Sequence, residues 1–348
     1  MTGQQDLYQD QIWSCCSYNN EGEISVTNPI DSTSSVKMLH RGKEYDMKKV
    51  KWNRYIPLYL MMLPGLAYLI VNNYMPMPGL ILAFKKYNYG LGIWKSPFNH
   101  FENFGFLLKS PEIKTILRNT ILYNLVFIVL GNIMAVAVAT LLSFVSSKFM
   151  RKLYQTIYLI PYLISIVIVS YMVFGFLSTD RGLINHMIMN TGGTAVSWYT
   201  TPKYWPLILT VVNLWKGFGY TSIIYFTTIL GIDPSLNEAA RIDGASNWKV
   251  FQYVTLPSLK ITIITMVMLN IGRIFYSDFG LFYQVPMNSG PLLNITSTLD
   301  TYVYRALLTL NDLGRSAVTG FLQSVCGFIL IVVTNALVKR IDEESSLF

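Results

Sequence analysis

The sequence has few charged side chains and few of the residues that carry out chemistry. Only 13% of its 348 residues are charged, against about 25% in a typical soluble domain. Of its three cysteines, Cys15 and Cys16 are neighbours in a polar segment, and Cys326 lies in an apolar run. This arrangement provides no framework of disulfides. The composition therefore excludes a soluble globule and a disulfide-stabilised secreted domain.

Motifs for catalysis, nucleotide binding and metal binding are also missing. The sequence contains no Gly-x-x-x-x-Gly-Lys-Ser/Thr loop for nucleotide phosphates, no His-Glu-x-x-His zinc motif and no Gly-x-Ser-x-Gly nucleophile motif. The histidines, His40, His100 and His186, are far apart in the chain. We therefore predict no catalytic residue, no metal site and no cofactor on this chain, so that any ATP binds to another subunit.

Long apolar runs are what the sequence does contain. An α-helix of about 20 apolar residues crosses the roughly 30 Å hydrocarbon core of a membrane. Here 52% of the residues are hydrophobic, and six apolar runs are candidates, at residues 55–74, 121–144, 154–177, 205–230, 261–271 and 317–338. They predict an all-α, polytopic membrane protein with six transmembrane helices.

Two segments depart from this simple pattern. The fifth run is apolar only as far as residue 271, where the polar stretch GRIFYSDFG follows, as expected of a segment that lines a hydrated cavity. Residues 75–84, MPMPGLILAF, are too few to span alone. The two prolines in that stretch indicate a bent or interfacial continuation of the first helix.

Lys and Arg residues predict the orientation in the membrane. With a cytoplasmic N-terminus, the inner segments hold about twice as many of these residues as the outer segments. Lysines in the long loop between the first two predicted spans oppose this trend, but positive charges in long loops influence membrane orientation less than those in short loops. We therefore expect both termini in the cytoplasm. The net charge of +8 then reflects membrane orientation and requires no nucleic-acid partner.

The first 50 residues differ in composition from the rest of the chain. They are rich in Ser, Asn, Gln and Asp and contain no apolar signal-peptide core, which predicts a disordered tail. Met38 and Met47 both precede the basic cluster before the first span, so either is a candidate start that would leave part of the tail untranslated or dispensable. Residues 51–348 are expected to form the membrane domain.

A polar stretch between the fourth and fifth runs carries helix signals. Asp233-Pro234 provides an N-cap followed by proline at the first helical position, and Ser235 with Glu238 also fits a capping box. Gly244 stands where a left-handed residue would end this helix. Ser246 or Asn247 can cap a second helix, which lasts until Pro257 resets the chain for the fifth span. The pattern predicts a helix, a turn and a helix on the cytoplasmic side.

Two interpretations of this hairpin are open from the pattern alone. Its corner is built from small residues, Ala239, Ala240 and Gly244, which would let another backbone approach closely, as in a docking lever. The alternative is an amphipathic hairpin on the membrane surface that only connects two spans, with Glu238 acting as a capping residue.

The same stretch resembles a family signature. Glu238-Ala239-Ala240, three residues, Gly244, nine residues and then Val254-x-Leu256-Pro257 is similar to the EAA motif of membrane subunits of binding-protein-dependent ABC importers, with Val254 in place of the usual Ile. The block GIDPSLNEAARIDGASNWKVFQYVTLP, preceded by NLWKGFGYTSIIY and followed by DTYVYRALL, resembles the sugar-permease branch. The resemblance covers about residues 51–348.

This resemblance implies a fold, a mechanism and partners. The fold expected is that of type I ABC importer permeases in a bacterial inner membrane. The partners expected are a second, different permease chain, two ATP-binding subunits that hold ATP and Mg, and an extracytoplasmic solute-binding protein. The hairpin would dock on an ATP-binding subunit and couple hydrolysis to alternating access. The residues implied in this coupling are Glu238, Ala239, Ala240, Arg241, Asp243, Gly244, Leu256 and Pro257.

Polar residues at membrane depth are candidates for the substrate pathway, because such groups are costly there. They lie in or near the last three spans: Asn213, Lys216, Tyr220, Asn270, Arg273, Tyr276, Asp278 and Gln323. Structural roles compete with this interpretation, since Lys216 can snorkel or pair with a carboxylate and Arg273 can pair with Asp278. Tyr276 can belong to an interfacial aromatic belt. Sugar as the substrate class rests on the family resemblance.

Other functions remain as alternatives. An ABC importer for a peptide or amino acid would carry a similar hairpin. An ion-driven secondary transporter predicts internal repeats and paired broken helices, and the sequence has one interrupted span and no convincing repeat. A membrane receptor or scaffold would need a soluble signalling domain, for which the segments outside the spans leave no room. The hairpin motif argues against the last two.

Overall fold

The computed structural model describes residues 16–18, 24–26 and 52–341, and these fall into two compact units divided after Asn73. In the first unit, strands β1 (Cys16–Tyr18) and β2 (Ile24–Val26) pair antiparallel. Helix α1 (Trp52–Leu69) ends in a π-helical turn at Ile70–Tyr74. The strand pair lies in the predicted disordered tail. The rest of that tail, with Met38 and Met47, lies outside the described residues.

Most of the described part of the second unit is helical. A 3-10 helix at Met77–Phe84 is followed by the α-helices α2 (Gly92–Lys95), α3 (Glu102–Lys109), α4 (Pro111–Ser143), α5 (Lys148–Leu163), α6 (Ile166–Leu177), α7 (Leu183–Asn190), α8 (Trp205–Leu230), α9 (Pro234–Ile242), α10 (Asn247–Val250), α11 (Leu256–Ser258), α12 (Lys260–Ile271), α13 (Leu293–Thr296), α14 (Leu299–Leu308) and α15 (Leu313–Ile341). Short π-helical turns occupy Phe251–Thr255 and Gly280–Gln284, and short 3-10 turns occupy Trp198–Thr200, Pro202–Tyr204 and Gly290–Leu292.

Four helical segments in the described part are long and apolar enough to cross a membrane, and two bent pairs bring the number to six. The four are Tyr55–Phe84, Pro111–Ser143, Pro202–Leu230 and Leu313–Arg340. The pair α5 and α6 is bent by 91°, and the pair Asn247–Ser258 and Lys260–Ile271 by 59°. The prediction of six spans in an all-α membrane protein therefore agrees with the helices observed.

The third span differs from the continuous helix that the sequence predicts. Pro161 lacks the N–H that a helical hydrogen bond needs, and Ile164 adopts an extended backbone with ψ of 131°. A run of apolar letters does not reveal such a break. The second span differs in length, because polar residues extend α4 back to Pro111, whereas the apolar run starts at residue 121.

Residues 75–84 form part of the bundle. The 3-10 helix Met77–Phe84 buries Leu82 and Ala83 and packs against α15. Lys85, which follows it, is buried and donates hydrogen bonds from Nζ to the carbonyls of Ile93 (3.0 Å) and Trp94 (2.8 Å). The prediction that these residues continue the first helix agrees with the helical segment Tyr55–Phe84.

The bundle is organised around α4 and α8, which pack along each other. One apolar cluster joins the two helices to Leu259, and its members are Ala135, Val136, Ala139, Leu142, Tyr225, Phe226 and Leu259. Next to it, α8 approaches α5 so closely that a Cβ on Gly219 would lie 2.0 Å from the carbonyl oxygen of Tyr158. Small residues at such crossings allow membrane helices to pack backbone to backbone.

Candidate coupling hairpin and central cavity

The hairpin, predicted over residues 233–257, starts with a capped helix and extends in the structure to the end of α11 at Ser258. The Asp233 carboxylate accepts a hydrogen bond of 2.9 Å from the Ser235 N–H, and Pro234 occupies the first helical position. The capping signal at Asp233 is therefore the one used, and Ser235 lies inside the first turn instead of serving as the N-cap of a box with Glu238. This hydrogen bond holds the pKa of Asp233 below its usual range.

A left-handed glycine ends the first helix, as the sequence predicts. Gly244 has φ of +74°, and its N–H donates to the Arg241 carbonyl at 3.0 Å. The Ala245 N–H donates to the Ala240 carbonyl at 2.9 Å. Together these bonds form a Schellman motif, which reverses the chain without leaving the last carbonyls unpaired. The corner of the hairpin is thus fixed by backbone hydrogen bonds.

The second half of the hairpin differs from its prediction at Pro257. The Ser246 hydroxyl caps α10 by accepting from the Lys249 N–H at 3.4 Å. Helical structure then continues through the π turn Phe251–Thr255 into α11, so Pro257 lies within helix and does not reset the chain. The 59° bend follows α11, where the fully buried Leu259 precedes α12.

The outer surface of the hairpin is exposed in the part of the chain that the structure describes. The residues implied in coupling are exposed, except for the partly buried Ala240. Ile242 is 86% exposed and Trp248 is 69% exposed, although both are large and apolar. Val250, Thr255 and Leu259 are buried and anchor the element to the bundle. A rigid, anchored hairpin with exposed apolar residues is typical of a surface that binds another protein.

The anchored half of the hairpin borders an apolar cavity of about 550 Å³. Trp248, Phe251 and Leu256 form one side, and the second half of α4, including Ile133, forms the other together with the C-cap residue Phe144. Asn132 of α4 also borders this cavity, and its Oδ1 accepts a hydrogen bond from the Tyr225 hydroxyl. The apolar cavity therefore extends from the hairpin to the position of Asn132 on α4.

A second cavity, the central cavity, has a volume of about 390 Å³ and lies between α4, α8 and the end of α12. Asn132 borders this cavity as well. Five of the pathway candidates predicted from sequence line it: Asn213, Asn270, Arg273, Tyr276 and Asp278. Four polar residues that the sequence analysis did not single out line it too: Asn124, Asn132, Thr221 and Ser277. The first two of these missed residues stood out as amides inside the second apolar run, which was a readable signal.

The wall of the central cavity includes the unwound stretch after α12. Asn124 Nδ2 donates to the carbonyls of Ile274 (2.8 Å) and Tyr276 (3.0 Å), and Gln323 Nε2 donates to the carbonyl of Phe275 (2.9 Å). Side-chain amides thus satisfy three consecutive carbonyls that no longer belong to a helix. Such irregular backbone is tolerated at membrane depth only where it is paired or lines a cavity.

The other end of the unwound stretch is held by α14. Asp300 accepts from the Ser277 N–H at 2.6 Å and from the Ser277 hydroxyl at 2.8 Å. That hydroxyl also lies 2.7 Å from Thr298 Oγ1. The break in the fifth span is therefore a fixed part of the cavity wall, with partners on α4, α14 and α15.

Three pathway candidates lie elsewhere. Lys216 Nζ donates to the carbonyls of Tyr162 (3.0 Å) and Ile164 (2.6 Å), with Pro161 O at 3.4 Å, so it satisfies the backbone groups freed by the bend between α5 and α6. Tyr220 stacks on Tyr162 with ring centroids 4.7 Å apart. Gln323 is buried against Phe275. Lys216 therefore has a structural role, with carbonyls as partners instead of the carboxylate considered from sequence.

The two charged residues of the central cavity, Arg273 and Asp278, are not an ion pair, although the sequence allowed that pairing. Asp278 Oδ1 accepts from the Leu281 N–H at 3.1 Å. The Arg273 guanidinium forms no hydrogen bond or salt bridge with another residue in the range 52–341. Tyr276 places its hydroxyl 3.1 Å from Ser324 Oγ. Among the described residues there is no group of three His, Cys, Asp or Glu side chains arranged for a metal ion.

Residues 127–343 match the family model for "Binding-protein-dependent transport system inner membrane component". This range contains the hairpin and most of the residues that line the central cavity. The chain belongs to this family. It is accordingly a multi-pass membrane component of a binding-protein-dependent transport system.

Individual relatives match most of the chain. It is 30% identical to the protein LplB of Bacillus subtilis, over 86% of this chain and 92% of the relative. It is 32% identical to the polygalacturonan/rhamnogalacturonan transport system permease protein YteP of the same organism, over 82% and 89%. A solved bacterial ABC transporter that imports the acidic polysaccharide alginate contains a chain with 30% identity and a TM-score of 0.75, matched over 83% of this chain and 97% of that one.

Proposed function

We propose that this family member is the permease subunit of an ATP-driven importer of a sugar or oligosaccharide. Among its relatives are permeases named for polygalacturonan and for arabinooligosaccharides. The observation that carries the proposal is the hairpin, because it is capped at both helices, exposed on its outer surface and continuous with a wall of the apolar cavity. Such an element can transmit movement of a bound partner into the membrane domain.

The coupling step follows from this arrangement. ATP-driven closure of a pair of ATP-binding subunits would displace a hairpin seated on one of them. Since Trp248, Phe251 and Leu256 border the apolar cavity, displacement changes the packing against α4. Asn132 borders both cavities, so a shift of α4 also reaches the central cavity. The positions of the hairpin before and after this closure would correspond to the inward-open and outward-open states of the membrane domain.

The central cavity is the proposed substrate pathway. Its volume of about 390 Å³ falls in the range of small-molecule sites, roughly 300–1,000 Å³. Three carboxamides, from Asn124, Asn213 and Asn270, and the hydroxyl of Thr221 offer donors and acceptors for sugar hydroxyls. Phe127 and Phe218 add apolar ring surface to the lining. Lys216, Tyr220 and Gln323 support the wall from outside the cavity.

The assembly proposed has several partners. Two ATP-binding subunits hold ATP and Mg and receive the hairpins. A second, different permease chain completes the membrane part, and an extracytoplasmic solute-binding protein delivers the substrate. The alginate transporter has been solved in complex with a periplasmic protein bound to an alginate pentasaccharide, which supports a solute-binding protein among the partners. Both termini of the present chain would lie in the cytoplasm of a bacterium, with the spans in its inner membrane.

Purification from the native membrane tests the assembly. We expect mass spectrometry of the purified complex to identify an ATP-binding subunit and a second permease with an EAA motif. Recovery of this chain alone, under conditions that preserve other membrane complexes, would contradict the proposal.

A substitution at the corner of the hairpin tests coupling. Gly244→Trp should leave the chain in the membrane but uncouple ATP hydrolysis from uptake, because a large side chain would stand where the partner docks. Gly192→Trp is the matched control, since Gly192 has a similar φ of +84°, is also exposed and likewise has open space around its missing Cβ. Normal uptake by the Gly244 variant at normal expression would refute the docking role.

A further inference from the structure

Arg273 occupies a distinctive place in the central cavity. Helix α12 ends at Ile271, with Gly272 as its C-cap, so Arg273 is the first residue of the unwound stretch. Its side chain is exposed and lines the cavity between α4 and α8. The carbonyl end of a helix stabilises a nearby positive charge. The position of Arg273 at this helix end therefore explains how its positive charge is tolerated. This position gives the guanidinium N–H groups no hydrogen-bond partner.

The guanidinium of Arg273 has no acceptor within the described chain. It carries five N–H donors in a planar fork, and arginine remains charged at every physiological pH. The nearest opposite charge in the lining, Asp278, is already engaged as the acceptor of the Leu281 N–H at the start of the π turn Gly280–Gln284. Among the described residues, Arg273 and Asp278 are the only charged ones in the lining of this cavity. The cavity thus presents one set of charged donors that has no hydrogen-bond or salt-bridge acceptor among the described residues.

The neighbours of Arg273 have a different chemistry. Asn124 and Asn270 use their amide nitrogens on backbone carbonyls, which leaves the side-chain oxygens of these residues as acceptors. Asn213 and Thr221 form the opposite wall on α8. Neutral amides and hydroxyls suit the hydroxyl groups of a sugar, whereas a fork of charged donors matches a carboxylate in a bidentate geometry.

We propose that the sugar transported through this cavity carries carboxylate groups, and that Arg273 binds one of them during passage. The inference rests on the proposed function and narrows its substrate class to oligosaccharides that contain uronic acids. Arg273 would then decide between acidic and neutral sugars, while the amides bind hydroxyls common to both. A carboxylate that leaves water needs such a partner, because a buried unpaired charge is costly.

Transport by the complete importer tests this inference. The complex, reconstituted in vesicles with its ATP-binding subunits, second permease and solute-binding protein, is offered a panel of uronic-acid disaccharides of different linkage. Each has a counterpart in which the carboxyl groups are reduced to alcohols. We expect ATP-dependent uptake of at least one acidic member, with its reduced counterpart taken up at least about tenfold more slowly.

Variants of Arg273 separate the residue's role from that of the binding protein. Arg273→Gln should lower uptake of the acidic sugar by at least about tenfold, since a charge-assisted bidentate contact becomes neutral. It should not lower uptake of any neutral sugar that the wild type carries. Arg273→Lys, which keeps the charge but loses the fork, should fall between the two. Arg118→Gln, at an exposed arginine of α4 outside the lining of this cavity, is the control for charge removal.

Each outcome has a defined meaning. Uptake of reduced sugars alone, or equal loss of acidic and neutral uptake in the folded Arg273→Gln complex, would overturn this inference and leave the proposed function standing. Uptake of no sugar in either panel would overturn both. The elution profile of each complex in size-exclusion chromatography shows whether a variant is folded. If the Arg273→Gln complex does not assemble, uptake by the Arg273→Lys complex is compared with that of the wild type instead.

Discussion

Gly219→Ala is expected to force apart two helices that touch through their backbones. A Cβ at this position would lie 2.0 Å from the carbonyl oxygen of Tyr158 and 2.8 Å from its carbonyl carbon, where contacts below 3.0 Å are not tolerated. Both atoms belong to the backbone of α5, so no rotation of a side chain relieves the clash. To reach an ordinary contact of 3.4 Å or more, α5 and α8 must separate locally by more than an ångström.

Overpacking of this kind costs about 1–3 kcal/mol, against a gain of roughly 0.5–1 kcal/mol from replacing glycine by alanine within a helix. We therefore expect net destabilisation of up to about 2.5 kcal/mol. The assay is thermal unfolding of the purified chain in detergent, followed by loss of the monodisperse peak. Gly217→Ala, two residues away in α8, is the control because its Cβ meets nothing within 4 Å. If Gly219→Ala proved as stable as Gly217→Ala, the close crossing of α5 and α8 would be refuted.

Three further substitutions probe the polar contacts of the bundle and the hairpin. Lys216→Met should lower stability by about 2–4 kcal/mol in the same assay, because hydrogen bonds from a charged donor are worth roughly 1.5–3 kcal/mol and the carbonyls at the α5–α6 bend lose theirs; unchanged stability would contradict its role as a cap. Gln323→Leu should cost about 1–3 kcal/mol in that assay by leaving the Phe275 carbonyl unpaired, and equal stability of the variant and the wild type would contradict this role. Because the pKa of Asp233 is lowered in the folded state, its cap acts fully above the usual value of 3.8 and is lost as the pH falls through the lowered pKa. Hydrogen exchange at Ser235, corrected for its intrinsic rate, should therefore accelerate in acid in the wild type and not in Asp233→Asn.

The hairpin was predictable because its signals are local. Asp233 and Pro234 start the first helix, Gly244 ends it, and Ser246 caps the second, each through hydrogen bonds to residues within a few positions. Pro257 was misread because a preceding π turn accommodates the proline within helical structure. Local propensity does not report such a turn.

The cavity was predictable only in part. Polar residues in or next to the apolar runs identified five of its lining residues, since their cost in a membrane requires an explanation. The role of Lys216 was hidden, because its carbonyl partners lie more than 50 positions away and are exposed by a bend that hydropathy does not show. The hydrogen bonds from Asn124 to the carbonyls of Ile274 and Tyr276 could not be predicted either, because these two residues come from another span. Contacts between distant segments decide both roles.

Site-specific photocross-linking tests most directly whether the hairpin is the element that docks on an ATP-binding subunit. A photoreactive amino acid replaces Ile242, which is 86% exposed at the end of the first hairpin helix, and in a parallel variant replaces Leu308, which is 60% exposed at the end of α14. After illumination of the membrane-embedded complex, we predict that the Ile242 variant alone forms a product containing the ATP-binding subunit. Absence of that product, in a complex shown to contain the subunit, would contradict the coupling role of the hairpin.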